Sequence, residues 1–332
     1  MSRAFLIGAG ATRAQYEKAP LSVDFFDKVS EKNGPLYDSI REAIFPFFKK
    51  HQDIRLLNVE DVMVLSEKFP ISVQTSFLDS IYTSIYELLA EETQSTSEFI
   101  EKYCSNEIRM EPTLFKTLLN DPRMSEDDFF ITLNYDLYLD REVYAFQNHI
   151  DYGIDKEIIG TFSGGDFTFK IEKSNKLSVY HLHGSMNWER LEDNRLRIHT
   201  GAISPFYRRG KCNLCIVPPG KKKLDGFIKP IWKIVEERIL QADELILIGC
   251  SMNPEDKELC DLIVKFAINR DSKKIKIICL DEKIKSKEIN ESTAFELNNY
   301  NRHLTGDYKK YTHGFFINGP NGEDGALEFI FS

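Results

Sequence analysis

The chain contains short apolar runs separated by longer segments in which apolar residues recur every three or four positions. Short apolar runs are typical of strands buried on both faces of a sheet, and the three-to-four spacing predicts amphipathic helices. The predicted strands cover residues 4–7, 129–133, 177–183, 245–248 and 273–280. Buried strands that are interspersed with helices predict an α/β fold.

A long helical block separates the first two predicted strands. Its apolar stripes lie in residues 23–50, 59–65, 73–89 and 99–119, with a break at Asn33-Gly34-Pro35. Core packing explains these stripes, so we assign them no chemistry. We predict an α/β domain formed by residues 1–32 and 126–332, and an all-helical insertion formed by residues 33–125.

Two further segments contain glycine turns between apolar residues. Gly164-Gly165 lies within residues 161–169, and Asn318-Gly319-Pro320-Asn321-Gly322 lies within residues 314–331. Turns of this composition commonly connect antiparallel strands. We therefore predict a hairpin in each segment, the second one closing the fold.

Composition and charge limit the classes of function. The 332 residues are 42% hydrophobic and 29% charged, which is typical of a globular protein. Because 43 basic residues face 52 acidic ones, for a net charge of −9, we expect no direct binding to nucleic acid or to anionic membranes. The sequence shows neither a signal-like start nor an apolar run long enough to span a bilayer, so we expect a cytoplasmic protein.

The first predicted strand is followed by a Gly-x-Gly turn, formed by Gly8, Ala9 and Gly10. Such a turn lets the backbone approach a phosphate closely, and Thr12 could add a hydroxyl contact. The dehydrogenase fingerprint requires a third glycine where Arg13 stands. Tight strand-to-helix turns use glycine in any case, so the turn alone leaves nucleotide binding and plain backbone geometry both open.

Polar residues follow the second predicted strand. Asn134 and Asp136 stand at its carboxyl end, where ligands bind in open α/β sheets. Asp136 could instead simply cap the helix predicted at residues 137–146. Both explanations stay open from the sequence.

Two later strands also end in polar groups. Gly249 and Ser251 follow the strand at 245–248, where they could contact a phosphate or a ribose. Asp281 follows the next strand and could hydrogen-bond a ribose diol.

Histidines and cysteines raise the question of a metal. Alternation along a strand puts His181 and His183 on one face, but no third ligand stands at a suggestive spacing. Cys212 and Cys215 form a single Cys-x-x-Cys pair, which is too few for a structural zinc. We expect no zinc, and structural roles remain the simpler explanation for the histidines.

Four motifs in this order resemble those of the SIR2-like (sirtuin-related) family. They are Gly8-Ala9-Gly10-Ala11-Thr12, Thr132-Leu133-Asn134-Tyr135-Asp136, Leu182-His183-Gly184-Ser185 and Ile248-Gly249-Cys250-Ser251. The extended segments around the last two motifs are more similar to SIR2-like domains of bacterial anti-phage defence systems. The resemblance covers residues 1–30 and 127–282, which leaves the helical block outside it.

The resemblance implies a Rossmann-like parallel sheet with helices on both faces, and a role for each matching residue. The pyrophosphate turn corresponds to Gly8, Ala9, Gly10 and Thr12. The contacts around the nicotinamide ribose correspond to Asn134 and Asp136. The catalytic base corresponds to His183. Contacts on the adenosine side correspond to Gly249, Ser251 and Asp281.

Departures from the sirtuin pattern determine which reaction the resemblance implies. Sirtuin deacylases carry two Cys-x-x-Cys pairs that hold zinc, whereas this chain has one pair. The defence relatives lack the zinc module and hydrolyse NAD outright. The resemblance therefore implies an NAD glycohydrolase that depletes NAD as an effector of anti-phage defence. An NAD-dependent protein deacylase and a non-catalytic sensor of NAD or ADP-ribose are the alternatives.

A toxic hydrolase must be restrained until it is needed. By analogy with the family, we expect regulation through a homo-oligomer or through a partner defence protein. The partners that the resemblance suggests are a HerA-type ATPase and an argonaute-like protein, and the helical block is a candidate surface for either.

Overall fold

The structure is a computed structural model. It describes residues 1–15, 19–47, 53–89, 114–147, 150–154, 158–162, 165–169, 177–191, 196–199, 213–217, 228–250, 256–269, 274–279, 312–316, 327, 328, 330 and 331. The helices are α1 (Ala9–Gln15), α2 (Phe25–Lys32), α3 (Gly34–Ile44), α4 (Val59–Ser66), α5 (Ile71–Leu89), α6 (Leu114–Leu119), α7 (Tyr138–Gln147), α8 (Ile228–Gln241) and α9 (Lys257–Asn269). The strands are β1 (Arg3–Ile7), β2 (Phe129–Thr132), β3 (Ile158–Phe162), β4 (Gly165–Phe169), β5 (Ser178–His181), β6 (Gly184–Arg190), β7 (Leu196–His199), β8 (Asn213–Ile216), β9 (Glu244–Ile248), β10 (Lys274–Cys279) and β11 (Thr312–Phe316).

A six-stranded sheet with the order β11-β10-β9-β1-β2-β5 forms the centre of the fold. All neighbouring strands in it are parallel. Helices flank the sheet, so the predicted α/β class with a Rossmann-like parallel sheet is confirmed. Because the strands are parallel, their carboxyl ends share one edge, and β1 lies in the interior of the sheet.

The main hydrophobic core encloses this sheet. Every residue of β1, β2 and β9 is buried, which explains why these segments are apolar runs without alternation. The rings of Phe5 and Phe130 stack with their centroids 5.1 Å apart. Residues of α6, α7, α8 and α9 belong to the same core, so these helices cover the sheet.

Charged side chains lie within this core in pairs. Arg3 Nη1 is 3.0 Å from Asp128 Oδ2, and Arg3 Nε is 3.6 Å from Glu244 Oε2. Lys276 Nζ is 3.2 Å from Glu244 and donates a hydrogen bond to the Ile330 carbonyl at 2.8 Å. A buried charge without a partner costs several kcal/mol. Each member of these pairs therefore compensates the burial of the other's charge. They also hold the last described residues against the sheet.

Helices α2 to α5 pack around a second hydrophobic cluster, which includes Phe26, Ile40, Met63 and Phe77. Asn33 separates α2 from α3, as the sequence predicts. Its side-chain oxygen accepts a hydrogen bond from the Leu36 amide at 3.1 Å and so caps α3.

The helical cluster is joined to the rest of the protein. Tyr138, the first residue of α7, and Met186, within β6 of the second sheet described below, are members of the helical cluster. Helix α6, although it lies within residues 33–125, packs in the main core instead. The division into an α/β domain and a separate helical insertion stays a prediction. Among the described residues, no helix is both long and apolar enough to cross a bilayer.

A second sheet has the strand order β4-β3-β7-β6-β8 and was not foreseen from the sequence. Its strands β3 and β4 are antiparallel, with Phe162 opposite Gly165, which confirms the hairpin predicted at 161–169. Strand β8 contains Cys215, a free and buried thiol, whereas Cys212 lies outside the described residues.

The prediction of one strand carrying both His181 and His183 is wrong. Strand β5 ends at His181, and β6 of the second sheet begins at Gly184. Gly184 has a φ of +77°, and a Cβ there would lie 1.6 Å from the Cys215 carbonyl oxygen. The chain turns at this glycine from one sheet into the other, so the two histidines do not share a strand face.

The hairpin predicted at 314–331 is also wrong. Strand β11 pairs in parallel with β10, and residues 327, 328, 330 and 331 are helical. Leu327 and Ile330 are buried while Glu328 is exposed, a three-residue spacing that fits a helix better than a strand. The glycine-rich turn signal between them lies outside the described residues.

Candidate functional site

The carboxyl edge of strands β9, β1, β2 and β5 brings together most of the residues selected from the sequence. Gly8 follows β1, Asn134 follows β2, His183 follows β5 and Gly249 follows β9. Ligand sites in parallel α/β sheets lie at this edge.

The glycines after β1 and β9 pack against each other. The Gly8 amide donates a hydrogen bond to the Ile248 carbonyl at 2.9 Å, and the Gly10 amide donates to the Gly249 carbonyl at 2.9 Å. A Cβ on Gly8 would lie 2.5 Å from the Gly249 oxygen. Gly249 has a φ of +59°, and a Cβ there would lie 2.0 Å from the Ala11 nitrogen.

The backbone contact therefore explains why glycine stands at these positions. The amides of Gly8 and Gly10 are engaged with carbonyl groups of the protein. Ala9 is half-buried between them, and its amide has no hydrogen-bond partner among the described residues. A bound phosphate would find its open donor at Ala9 rather than at the two glycines.

Asn134, Thr12 and Asp136 form a continuous hydrogen-bonded row. Asn134 Nδ2 donates to the Gly8 carbonyl at 3.1 Å and to Thr12 Oγ1 at 2.9 Å. Thr12 Oγ1 in turn donates to Asp136 Oδ2 at 3.0 Å. Because Nδ2 is committed to the protein, the Asn134 side-chain oxygen is the atom of this side chain that could accept a hydrogen bond from a ligand.

Asp136 caps a helix, which is one of the two roles that the sequence left open, and the ligand contact stays a prediction. Its Oδ1 accepts a hydrogen bond from the Tyr138 amide at 3.1 Å, which caps the start of α7, while its Oδ2 belongs to the row. Burial raises the pKa of Asp136 to about 6, against the hydrogen bonds from Tyr138 and Thr12, and the negative charge of Asp140 adds to the rise. This carboxyl group is therefore still partly protonated at pH 6.

His183 forms a buried pair with Asp256. The distance from His183 Nε2 to Asp256 Oδ2 is 2.9 Å, and the two side chains are only 6% and 5% exposed. The Trp232 ring packs edge-on against the imidazole, with the ring centroids 6.3 Å apart. Burial opposes protonation of the imidazole, but the adjacent Asp256 carboxylate prevails and raises the pKa of His183 above its usual value.

Tyr135 connects the segment after β2 to this pair. Its hydroxyl donates to the Val217 carbonyl at 3.3 Å, and the Val217 amide donates to the His183 carbonyl at 2.9 Å. Burial raises the pKa of Tyr135 well above its usual value, and the charges of Glu60 and Asp256 add to this effect. Glu60 belongs to α4, so the helical cluster contributes a charge to the surroundings of the site.

His181 pairs with a different carboxylate, that of Asp140. Its Nε2 lies 3.0 Å from both oxygens of Asp140, and the Tyr152 hydroxyl donates to Asp140 at 2.8 Å. Burial opposes protonation of the fully buried His181, but the Asp140 carboxylate prevails and raises the pKa of His181, and the charge of Asp136 adds to the rise. Within the part of the chain that the structure describes, no three His, Cys, Asp or Glu side chains are grouped as metal ligands would be.

Ser251 and Asp281 lie outside the described residues, so their predicted contacts stay predictions. Sequence reasoning assigned no role to Asp256 or Tyr135. Asp256 stands directly before α9, where an aspartate is typical as a helix N-cap, but that signal does not point to His183. The pairing joins residues 73 positions apart, so no local pattern could have indicated it.

No protein-family model and no curated protein sequence matches this chain. Its chemistry therefore has to be inferred from the groups at the sheet edge. These are an amide carbonyl at Asn134, a carboxyl group with a pKa of about 6 at Asp136, and the imidazole and carboxylate of His183 and Asp256. Together they could transfer a proton and stabilise positive charge on a bound molecule.

Proposed function

We propose that this protein is an NAD glycohydrolase, which cleaves NAD to ADP-ribose and nicotinamide. One observation carries the proposal: the buried His183–Asp256 pair lies at the same sheet edge as the Asn134–Thr12–Asp136 row. A base of this kind beside a carboxylate and an oriented amide oxygen suits the hydrolysis of a glycosidic bond.

The leaving group determines what the site must stabilise. Nicotinamide leaves as a neutral molecule and takes with it the electron pair of the bond to C1′ of the ribose. The ribosyl group becomes an oxocarbenium-like cation in the transition state. The carboxylate of Asp136 and the carbonyl oxygen of Asn134 would stabilise that positive charge, because fixed dipoles and charges act strongly where water is excluded.

His183 would accept the proton of the attacking water. As the water oxygen bonds to C1′, its proton passes to the imidazole and later to solvent, which completes the balance NAD⁺ + H₂O → ADP-ribose + nicotinamide + H⁺. A neutral imidazole is required for this step. The enzyme should therefore be most active above the pKa of His183.

The dinucleotide would extend from this point across β1 towards β9. The Ala9 amide would meet the pyrophosphate, with Thr12 holding the neighbouring row in place. The proposal includes the SIR2-like assignment, a cytoplasmic role as an NAD-depleting effector of anti-phage defence, and control by a homo-oligomer or a partner. Ser251 and Asp281 remain its expected contacts on the adenosine side.

A direct assay tests the proposal. Purified protein is incubated with NAD, with and without the product of a neighbouring gene, and released nicotinamide is quantified. We expect release by the wild type and none by His183→Ala or Asn134→Ala. His199→Ala is the matched control, since His199 pairs with Glu189 in the second sheet at 2.8 Å. Release that requires an acylated peptide would indicate a deacylase, and NAD binding without any cleavage would indicate a sensor.

A further inference from the structure

The contact between His183 and Asp256 joins two distant parts of the sheet edge. His183 follows β5 and Asp256 lies beyond β9, and β1 and β2 stand between these strands in the sheet. The pair therefore ties the segment after β5 to the segment that follows β9.

Asp256 is itself fixed by the start of α9. Its Oδ1 is 3.4 Å from the Leu259 amide nitrogen, and its carbonyl accepts a hydrogen bond from the Cys260 amide at 3.0 Å. The other carboxylate oxygen is left for His183 Nε2. A carboxylate anchored in this way can hold an imidazole ring in one orientation, because neither partner is free to rotate.

The contact also determines which ring nitrogen is available. With Nε2 donating to Asp256, the neutral imidazole carries its proton on Nε2, and Nδ1 has the lone pair. Nδ1 is then the ring nitrogen that can take up a proton. After it does so, the imidazolium is stabilised by the adjacent carboxylate.

We propose that Asp256 is the positioning residue of the site, which fixes the tautomer of His183 so that Nδ1 serves as the base. This inference rests on the proposed function for its chemical meaning. Among the described residues, the other charged or titratable groups that face the pair are Glu60 on α4, Tyr135 after β2 and Cys260 on α9. Glu60 reinforces the effect of Asp256 on the imidazole, but it makes no hydrogen bond to the ring among the described residues.

The simplest competing explanation is that Asp256 only caps α9 and fills space. Asp256→Asn separates the two roles, because asparagine is an equally good N-cap but carries no charge. Its amide group can donate to Nε2, which favours the opposite tautomer. Asp53→Asn is the matched control, since Asp53 also caps a short helix, accepting from the Arg55 amide at 3.1 Å, and also loses an ion pair, with the Arg55 guanidinium at 2.6 Å.

Kinetics provide the first readout. We expect Asp256→Asn to lower kcat by about 10²- to 10⁴-fold with little change in KM, as when a general base is held in the wrong tautomer. The acidic limb of the pH profile should move to lower pH, because loss of the carboxylate lowers the pKa of His183. An unshifted limb with kcat within about twofold of the wild type would overturn the proposal.

Nuclear magnetic resonance of the imidazole nitrogens provides a readout that does not depend on NAD cleavage. The chain has seven histidines, so His183 can be assigned by comparison with His183→Ala. In the wild type we expect the neutral ring to carry its proton on Nε2, and in Asp256→Asn we expect a lower pKa. If the wild type fails to cleave NAD, the proposed function is wrong. The spectra would still show whether Asp256 fixes the tautomer of His183. An unchanged tautomer and pKa would refute its positioning role.

Discussion

Thr12 donates a hydrogen bond to Asp136 across the sheet edge at 3.0 Å, and the same hydroxyl accepts one from Asn134 at 2.9 Å. One hydroxyl group thus joins the helix after β1 to both polar residues after β2. It orients the amide of Asn134 and stabilises the charged form of Asp136. These two side chains are the ones that we expect to face the developing ribosyl cation.

Thr12→Val tests this relationship, because valine has nearly the same shape and no hydroxyl. A hydrogen bond to a charged group is worth about 1.5–3 kcal/mol, so kcat/KM for NAD should fall about 10- to 100-fold. The loss should be larger at pH 6 than at pH 8, since Asp136 without this donor takes up a proton more readily. Thr75→Val on α5 is the control, because Thr75 donates only to the Ile71 carbonyl. Equal losses at both pH values would contradict the role given to Thr12.

The raised pKa of Asp136 also predicts how stability depends on pH. Its folded-state pKa is about 6, above the usual 3.8, because burial disfavours the carboxylate. The protonated group therefore adds stability below about pH 4, and this contribution is lost as the pH rises through 6. Asp136→Asn removes the effect. We expect the variant to gain about 1–3 kcal/mol relative to the wild type between pH 4 and pH 7, measured by urea unfolding. A difference between the two proteins that does not vary with pH would contradict this.

The sequence predicted the central sheet well because burial on both faces leaves a local signature. In β1 and β9 every position is buried, so each strand is an apolar run between polar ends. The boundary between helices α2 and α3 could also be predicted from the sequence, since Asn33 ends α2 and caps α3. Residues at the carboxyl ends of strands could be predicted to share an edge once the sheet was assumed parallel.

Long-range pairings and changes of sheet could not be predicted. Gly184 turns the chain into a second sheet, but a glycine after a strand is equally typical of a strand's end. The pairing of His183 with Asp256 joins residues 73 positions apart, so no local pattern indicates it. The burial of the charged Lys276 side chain also could not be predicted from the sequence, because its partner Glu244 lies on another strand.

Gly249→Ala tests the contact between the two glycine turns. The residue has a φ of +59°, and a Cβ would lie 2.0 Å from a backbone nitrogen that cannot move freely. We expect a loss of more than about 2 kcal/mol in unfolding free energy, from backbone strain together with steric overlap. Gly34→Ala is the control, because a Cβ there meets nothing within 4 Å. That variant should be neutral or more stable by up to about 1 kcal/mol, and comparable losses in both would contradict the account.

The buried ion pair of Lys276 and Glu244 should be coupled in its effect on stability. Lys276 is 2% exposed and Glu244 is 1% exposed, so removing one charge leaves the other in the core with less compensation. Lys276→Met should cost about 3–5 kcal/mol of unfolding free energy, although Arg3 at 3.6 Å from Glu244 will limit the loss. The double variant Lys276→Met with Glu244→Gln should recover a large part of it, because no unpaired carboxylate remains. Chemical denaturation of the wild type, the two single variants and the double variant measures the coupling between the two residues. If the two single losses simply add in the double variant, the pair does not interact as its geometry indicates.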